Sequence, residues 1–147
     1  AKADDQKDWE VLEMKIPRKK IILSIVIFIF TIVLIGGAVY LKNVADYKQA
    51  VKETTFDEIN ISDVSDGVYI GEYDVNFIYA KVEVTVQNGE ITDIIILEHR
   101  HEHGKAAETV INEIVDEQRI DVDAVSGATN SSIVIKKAVE NALKSGL

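Results

Sequence analysis

The 147-residue chain contains no cysteine. That absence excludes a disulfide framework, an iron–sulfur cluster and thiol chemistry, and with them a lipoprotein processing site, though it does not identify a compartment. Charge is also missing from one long stretch. Between Lys20 and Lys42 there is no charged residue, and Ile21–Leu41 is dominated by Ile, Val, Leu and Phe. A helix of that length is about 30 Å long, the thickness of a bilayer hydrocarbon core. The stretch lacks the polar stripe that a core helix of a small soluble protein carries. It also exceeds the 7–15 apolar residues of a cleaved signal segment, despite the small residues Gly36, Gly37 and Ala38. The expectation is an uncleaved transmembrane helix over residues 21–41.

Lys15, Arg18, Lys19 and Lys20 crowd its N-terminal side, whereas Lys42 and Lys48 are offset by Asp46 on the other. Positive charge stays cytoplasmic, so residues 1–20 are expected inside and residues 42–147 outside the cytoplasm of a single-pass membrane protein. Met14 is the only methionine, and Met14-Lys-Ile-Pro-Arg-Lys-Lys20 reads as a natural beginning. Residues 1–13 are then a cytoplasmic extension or foreign to the chain, and no function is assigned to them.

A basic groove is absent too. Residues 42–147 hold 10 Lys+Arg against 20 Asp+Glu, a net of −10. Such a surface repels nucleic acid and attracts no diffusible phosphate ligand. No Ser/His/Asp arrangement with an assignable base, no carboxylate pair and no nucleotide-binding fingerprint is visible, so no catalytic residue is assigned.

Asn43–Glu53 has apolar residues at Val44, Tyr47 and Val51, a weak helical pattern within a juxtamembrane stalk over residues 42–60. A folded domain is expected over residues 61–147. Gly67–Phe77 alternates around Val68, Ile70, Tyr73 and Val75. Ala80–Val86 alternates with Val82, Val84 and Val86 on one face and Lys81, Glu83 and Thr85 on the other. Asn88-Gly89 suits a type I′ turn, in which both residues take positive φ, and Glu90–Glu98 follows as the partner strand. Lys105–Gln118 and Ser131–Lys144 show helical periodicity, with Gly146 as a stop. Strands followed by helices predict an α+β fold: a small antiparallel sheet packed with two helices, preceded by the transmembrane helix.

Between the two helical segments lies Ile120-Asp-Val-Asp-Ala-Val-Ser-Gly-Ala-Thr-Asn-Ser-Ser132. It reads as a Gly-containing turn that opens a helix, where free N–H groups and the helix dipole favour an anion. Gly127 permits a tight turn, Ala128 keeps the approach clear, and Thr129, Ser131 and Ser132 bring hydroxyls. On residues alone, an ordinary Ser/Thr helix cap that binds nothing is the better account of the segment.

Asp123-Ala-Val-Ser126-Gly127-Ala128-Thr129, with Asn130-Ser131-Ser132 and a helix carrying Ala138-Val139 and Ala142-Leu143, resembles the FMN-binding domain. That domain occurs in the flavin subunits of the Na⁺-pumping quinone reductase and the related Rnf complex, and in many small membrane-anchored flavoproteins. The resemblance runs from about Gly67 to the C-terminus and includes Gln118. It implies FMN joined through its phosphate to the Thr129 hydroxyl, with Asp123, Ser126, Gly127, Ala128, Ser131 and Ser132 in the binding segment. It implies a separate flavin transferase that uses FAD and Mg²⁺ and recognises Asp123–Thr129. A threonine hydroxyl needs a base to act as a nucleophile, which fits an external enzyme, and a covalent tether solves retention on an acidic domain. The chain departs from the larger subunits at Asn130, where an aromatic or apolar residue is usual, and at Ser131, where Thr is.

All three histidines fall in Leu97-Glu-His99-Arg-His101-Glu-His103-Gly104. If the strand continues, they share one face and could bind Zn²⁺ or Cu²⁺. The resemblance places this loop near the flavin ring, with His103 and Gly104 as contacts; exposed loop residues are the third reading. No metal ligand is assigned. Tyr69, Tyr73, Phe77 and Tyr79 read as core or interface, although one could stack on a flavin.

The resulting expectation is a membrane-anchored electron carrier or subunit of a membrane electron-transfer complex, with its redox donor and acceptor unnamed. The rivals are a flavin-dependent reductase of an extracellular acceptor and a non-redox anion-binding sensor module.

Overall fold

The computed structural model describes residues 17–147. The N-terminal tail, with Met14 and Lys15, lies outside them. One helix, α1, runs from Arg18 to Glu53, and the chain divides into two compact units, up to Val39 and from Tyr40 onward. The described part of the first unit is the helix from Arg18 onward. Its residues are apolar on every side, with a mean hydropathy of 2.9 in the richest window and none of that window buried. By length and composition this helix is able to cross a membrane.

The second unit is an α+β domain. Its strands β1 (Gly67–Asp74), β2 (Tyr79–Gln87) and β3 (Glu90–Arg100) form an antiparallel sheet in the order β1-β2-β3. The β2–β3 turn is built by Asn88 and Gly89 at φ 55° and 75°, the pair of positive values that the sequence anticipates. Alternation along β2 sends Ala80, Val82, Val84 and Val86 into the core. Helices α2 (Val110–Glu117) and α3 (Thr129–Lys144) cover that face, α3 across β1 and β2 and α2 against β3. Gly71 makes the closest approach, because a side chain there would overlap the α3 backbone at Ala138 and Ala142.

Three expected segments differ in detail. β1 stops at Asp74 rather than Phe77, because the Asp74 carboxylate accepts the Asn76 N–H at 2.7 Å and Asn76 turns at φ 76°. Val68 and Ile70 face outward, since Tyr69, Gly71 and Tyr73 alternate onto the helix side. The helix expected over Lys105–Gln118 begins as a 3-10 turn, Lys105–Thr109, and becomes α-helical only in α2. Its apolar face is as expected, with Ala107, Val110 and Ile114 buried. The stalk segment continues α1 as far as Glu53, and its Val51 is buried among the domain's core residues.

Gln118 ends α2 in the left-handed conformation at φ 53°. Its side chain accepts the Ile91 N–H at 2.8 Å and donates to the carbonyls of Ile91 and Val115, each at 2.7 Å. One amide thus ties the end of α2 to the start of β3, and the chain leaves it toward α3.

Candidate functional site

From Gln118 the chain runs without helix or strand through Asp121–Val125, with Val122 N–H on Ile120 O at 2.8 Å, and turns at Ser126-Gly127. Gly127 sits at φ 79°, a conformation that disfavours any side chain. Nothing lies within 4 Å of where its Cβ would be, so the surface beside it is open. The turn is closed by Ala128 N–H to Val125 O at 2.9 Å. Ala128 is the N-cap of α3 and Thr129 its first residue, with no side-chain cap hydrogen bond. A Ser/Thr cap is therefore not what this segment supplies. The Thr129 hydroxyl is left outside the cap, exposed, beside first-turn N–H groups that lack intrahelical partners.

The three hydroxyls do different things. Thr129 and Ser131 line a cavity of about 350 Å³ together with Gly127, Ala128 and Asn130. Ser132 does not. It is fully buried, its oxygen accepts the Val125 N–H at 3.0 Å, and its hydroxyl donates to Ala128 O at 2.9 Å. It holds the turn from behind. Asp123 and Ser126 also stand off the cavity lining, exposed on the approach to the turn. The approach is pinned by Lys136 of α3, whose Nζ donates to Val122 O at 2.6 Å. Burial pushes this ammonium below its ordinary pKa, against the opposing pull of Asp121 and Asp123.

The rest of the lining comes from distant sequence. Glu102, His103 and Gly104 belong to it, as do Tyr47, Phe77 and Ile78. Gly104 is packed so tightly on Ser131 that a side chain at 104 would overlap the serine hydroxyl. Phe77 meets Tyr40 and Tyr47 edge-on, with ring centroids 5.9 and 5.2 Å apart. Of the four aromatics read as core or interface, Phe77 is the one in the cavity. Tyr69 donates to Ser65 O, Tyr73 shares a hydrogen bond with Thr54, and Tyr79 donates to Glu72. That last bond raises the Tyr79 pKa to about 12. Sequence reasoning missed Tyr47, Ile78 and Glu102; no local signal marks them, since only folding brings them to the turn.

The three histidines do not share a face. β3 ends at Arg100, so the two-residue period stops there. His103 goes to the cavity. His99 turns inward, with a 2 % exposed side chain and its Nδ1 3.1 Å from the Glu108 carboxylate. Burial lowers its pKa, with neighbouring His101 adding to the shift and Glu108 opposing it. His101 accepts the Gly104 N–H on Nδ1 at 3.1 Å.

An open cavity with a helix N-terminus, an exposed Thr129 and the unobstructed Gly127 turn fits an anionic group. Tyr47, Phe77 and Ile78 add apolar surface suited to an aromatic ring. Those are the two ends of FMN.

No curated protein matches the chain. A family model described as FMN-binding domain matches residues 79–144, from the start of β2 to the end of α3. The match begins later than the resemblance at Gly67 and takes in every cavity residue except Tyr47, Phe77 and Ile78. Residues 79–144 thus match the FMN-binding domain family, the same family that Asp123–Thr129 resembles in sequence.

Proposed function

We propose that the protein is a membrane-anchored, extracytoplasmic electron carrier with FMN attached to Thr129 as a phosphoester. The observation that carries the reading is the position of Thr129: first in α3, outside the cap, its hydroxyl on the cavity. Ala128 holds the N-cap position and its methyl cannot cap, so no side-chain cap bond engages the start of α3, which supports a different task for the Thr129 hydroxyl.

In this reading the Thr129 oxygen displaces AMP from the FMN phosphorus of FAD, losing its proton to a base of the Mg²⁺-dependent transferase. Tyr47, Glu102 and His103 are the titratable side chains that line the cavity, and this reading leaves the proton to the transferase. Asp123 and Ser126, exposed on the approach to the turn, present the edge that a transferase would read. Free N–H groups at the start of α3 would hold the phosphate, and Phe77, Tyr47 and Ile78 would exclude water beside the ring. When bound, the flavin supplies one- and two-electron redox chemistry, and the protein supplies position and surroundings. The apolar first unit, with its basic N-terminal flank, supports a single span with the domain outside. The electron donor and acceptor are unnamed in this reading, and a membrane electron-transfer complex is the setting it expects.

The test is in-gel flavin fluorescence under denaturing conditions with intact mass, on protein co-expressed with a flavin transferase. Wild type should show a fluorescent band and an added FMN mass; Thr129→Ala should show neither. A dark wild-type band of unmodified mass would remove the covalent reading.

A further inference from the structure

A second cluster lies behind the cavity wall. One candidate ligand atom from each of His99, His101 and Glu108 lies within 4.8 Å of the others. They come from three places: the end of β3, the residue after it, and the 3-10 turn that leads into α2. The His99 and His101 rings are 4.5 Å apart at their centroids. His99 Nδ1 and Glu108 Oε1 are 3.1 Å apart. Two ligands of one tetrahedral ion, each bonded at about 2.0–2.1 Å, stand about 3.3 Å from each other. With Nδ1 as the ligand atom of His99, the ring carries its proton on Nε2, so the cluster rests on the spacing of its three donor atoms.

We propose that His99, His101 and Glu108 form a binding site for a divalent transition metal of the Zn²⁺ type. Two imidazoles and one carboxylate are the donor set that Zn²⁺, Co²⁺, Ni²⁺ and Cu²⁺ accept, with water completing the shell. The site is independent of the flavin reading and uses a different set from the three histidines, because His103 points to the cavity. A neutral imidazole has one lone pair. Whichever nitrogen of His101 ligates, its Nδ1 ceases to accept the Gly104 N–H. Metal binding thus exchanges one hydrogen bond for one coordinate bond, and it cross-links β3 to the 3-10 turn beside the cavity.

The experiment uses the full chain in detergent, without a polyhistidine tag, treated with chelator and titrated with Co²⁺. One equivalent should bind with the visible absorption of a low-coordinate Co²⁺ site, and Zn²⁺ should displace it. His101→Ala and Glu108→Gln should each weaken binding at least about tenfold, with far-UV circular dichroism confirming that the variants are folded. His103→Ala should bind like wild type. Absence of a one-equivalent site, affinity unchanged in the folded His101→Ala and Glu108→Gln proteins, or loss of binding in His103→Ala would each overturn the assignment.

Discussion

Gly104 and Ser131 sit in such close contact that the loop after β3 and the first turn of α3 act as one wall of the cavity. The backbone of Gly104 is ordinary, at φ −94°. Glycine is required there by space alone. Gly104→Ala should cost about 1–3 kcal/mol, the usual range for overpacking, and should lower flavin attachment measured by intact mass. Removing the obstacle with Ser131→Gly in the same chain should recover most of the stability. Additive losses in the double variant would show that the two residues are not in contact.

Gly127 makes the opposite case. Nothing lies near its missing Cβ, but its φ of 79° is costly for any other residue. Gly127→Ala should destabilise the turn by about 1–2 kcal/mol, and no second-site reduction in volume should rescue it. Gly127→Asn should retain more flavin attachment than Gly127→Val, because Asn tolerates the left-handed region and a β-branched residue does not. Equal attachment in the two variants would refute a conformational role.

Much of this was legible locally. The β2–β3 hairpin follows from strict alternation around Asn88-Gly89, and the buried face of α3 from Val134, Ala138, Val139, Ala142 and Leu143; each signal fits within one window of sequence. Thr129 was singled out by the resemblance of Asp123–Thr129 to the FMN-binding domain, since the turn and its consecutive hydroxyls alone read as a helix cap. What stayed hidden depends on contacts across the chain. Nothing near Ser132 distinguishes a hydroxyl that binds Val125 N–H from one that faces a ligand. Tyr47 reaches the cavity only because α1 continues past the apolar run. The outward turn of Val68 and Ile70 is set by Gly71, which must face α3 for the helix to seat.

Gln118 carries three hydrogen bonds on one side chain, two of them to the backbone of Ile91, which is 2 % exposed. Gln118→Ala should cost about 2–4 kcal/mol, since it also leaves the Ile91 N–H and carbonyl unpaired. Gln118→Glu should lose nearly as much near neutral pH, because a carboxylate accepts from Ile91 N–H but cannot donate to the Ile91 and Val115 carbonyls. Gln118→Gly should lose less than Ala by about 1 kcal/mol, as glycine relieves the left-handed backbone. Urea unfolding of the three variants side by side checks the order. A Gln118→Glu protein as stable as wild type would mean that the donated bonds contribute nothing.

Lys136 links α3 to the approach segment through Val122, and its burial favours the neutral amine over the ammonium. In the folded state its pKa therefore lies below the ordinary 10.5 that the unfolded chain keeps. Between those two values the unfolded chain binds more protons, so the stability owed to Lys136 rises with pH across that window and levels off above it. A neutral amine still donates to the Val122 carbonyl, so the bond survives the titration. Lys136→Met has neither the titration nor the bond. The stability difference, wild type minus Lys136→Met, should therefore grow as pH is raised from about 7 towards 10.5. Urea midpoints measured in parallel across that range provide the check, and differencing removes the alkaline titration of the other lysines and tyrosines. A difference that stays flat or shrinks with pH would mean that the Lys136 ammonium is as well solvated in the fold as in the unfolded chain, and that its bond to Val122 O anchors the approach segment without a desolvation cost.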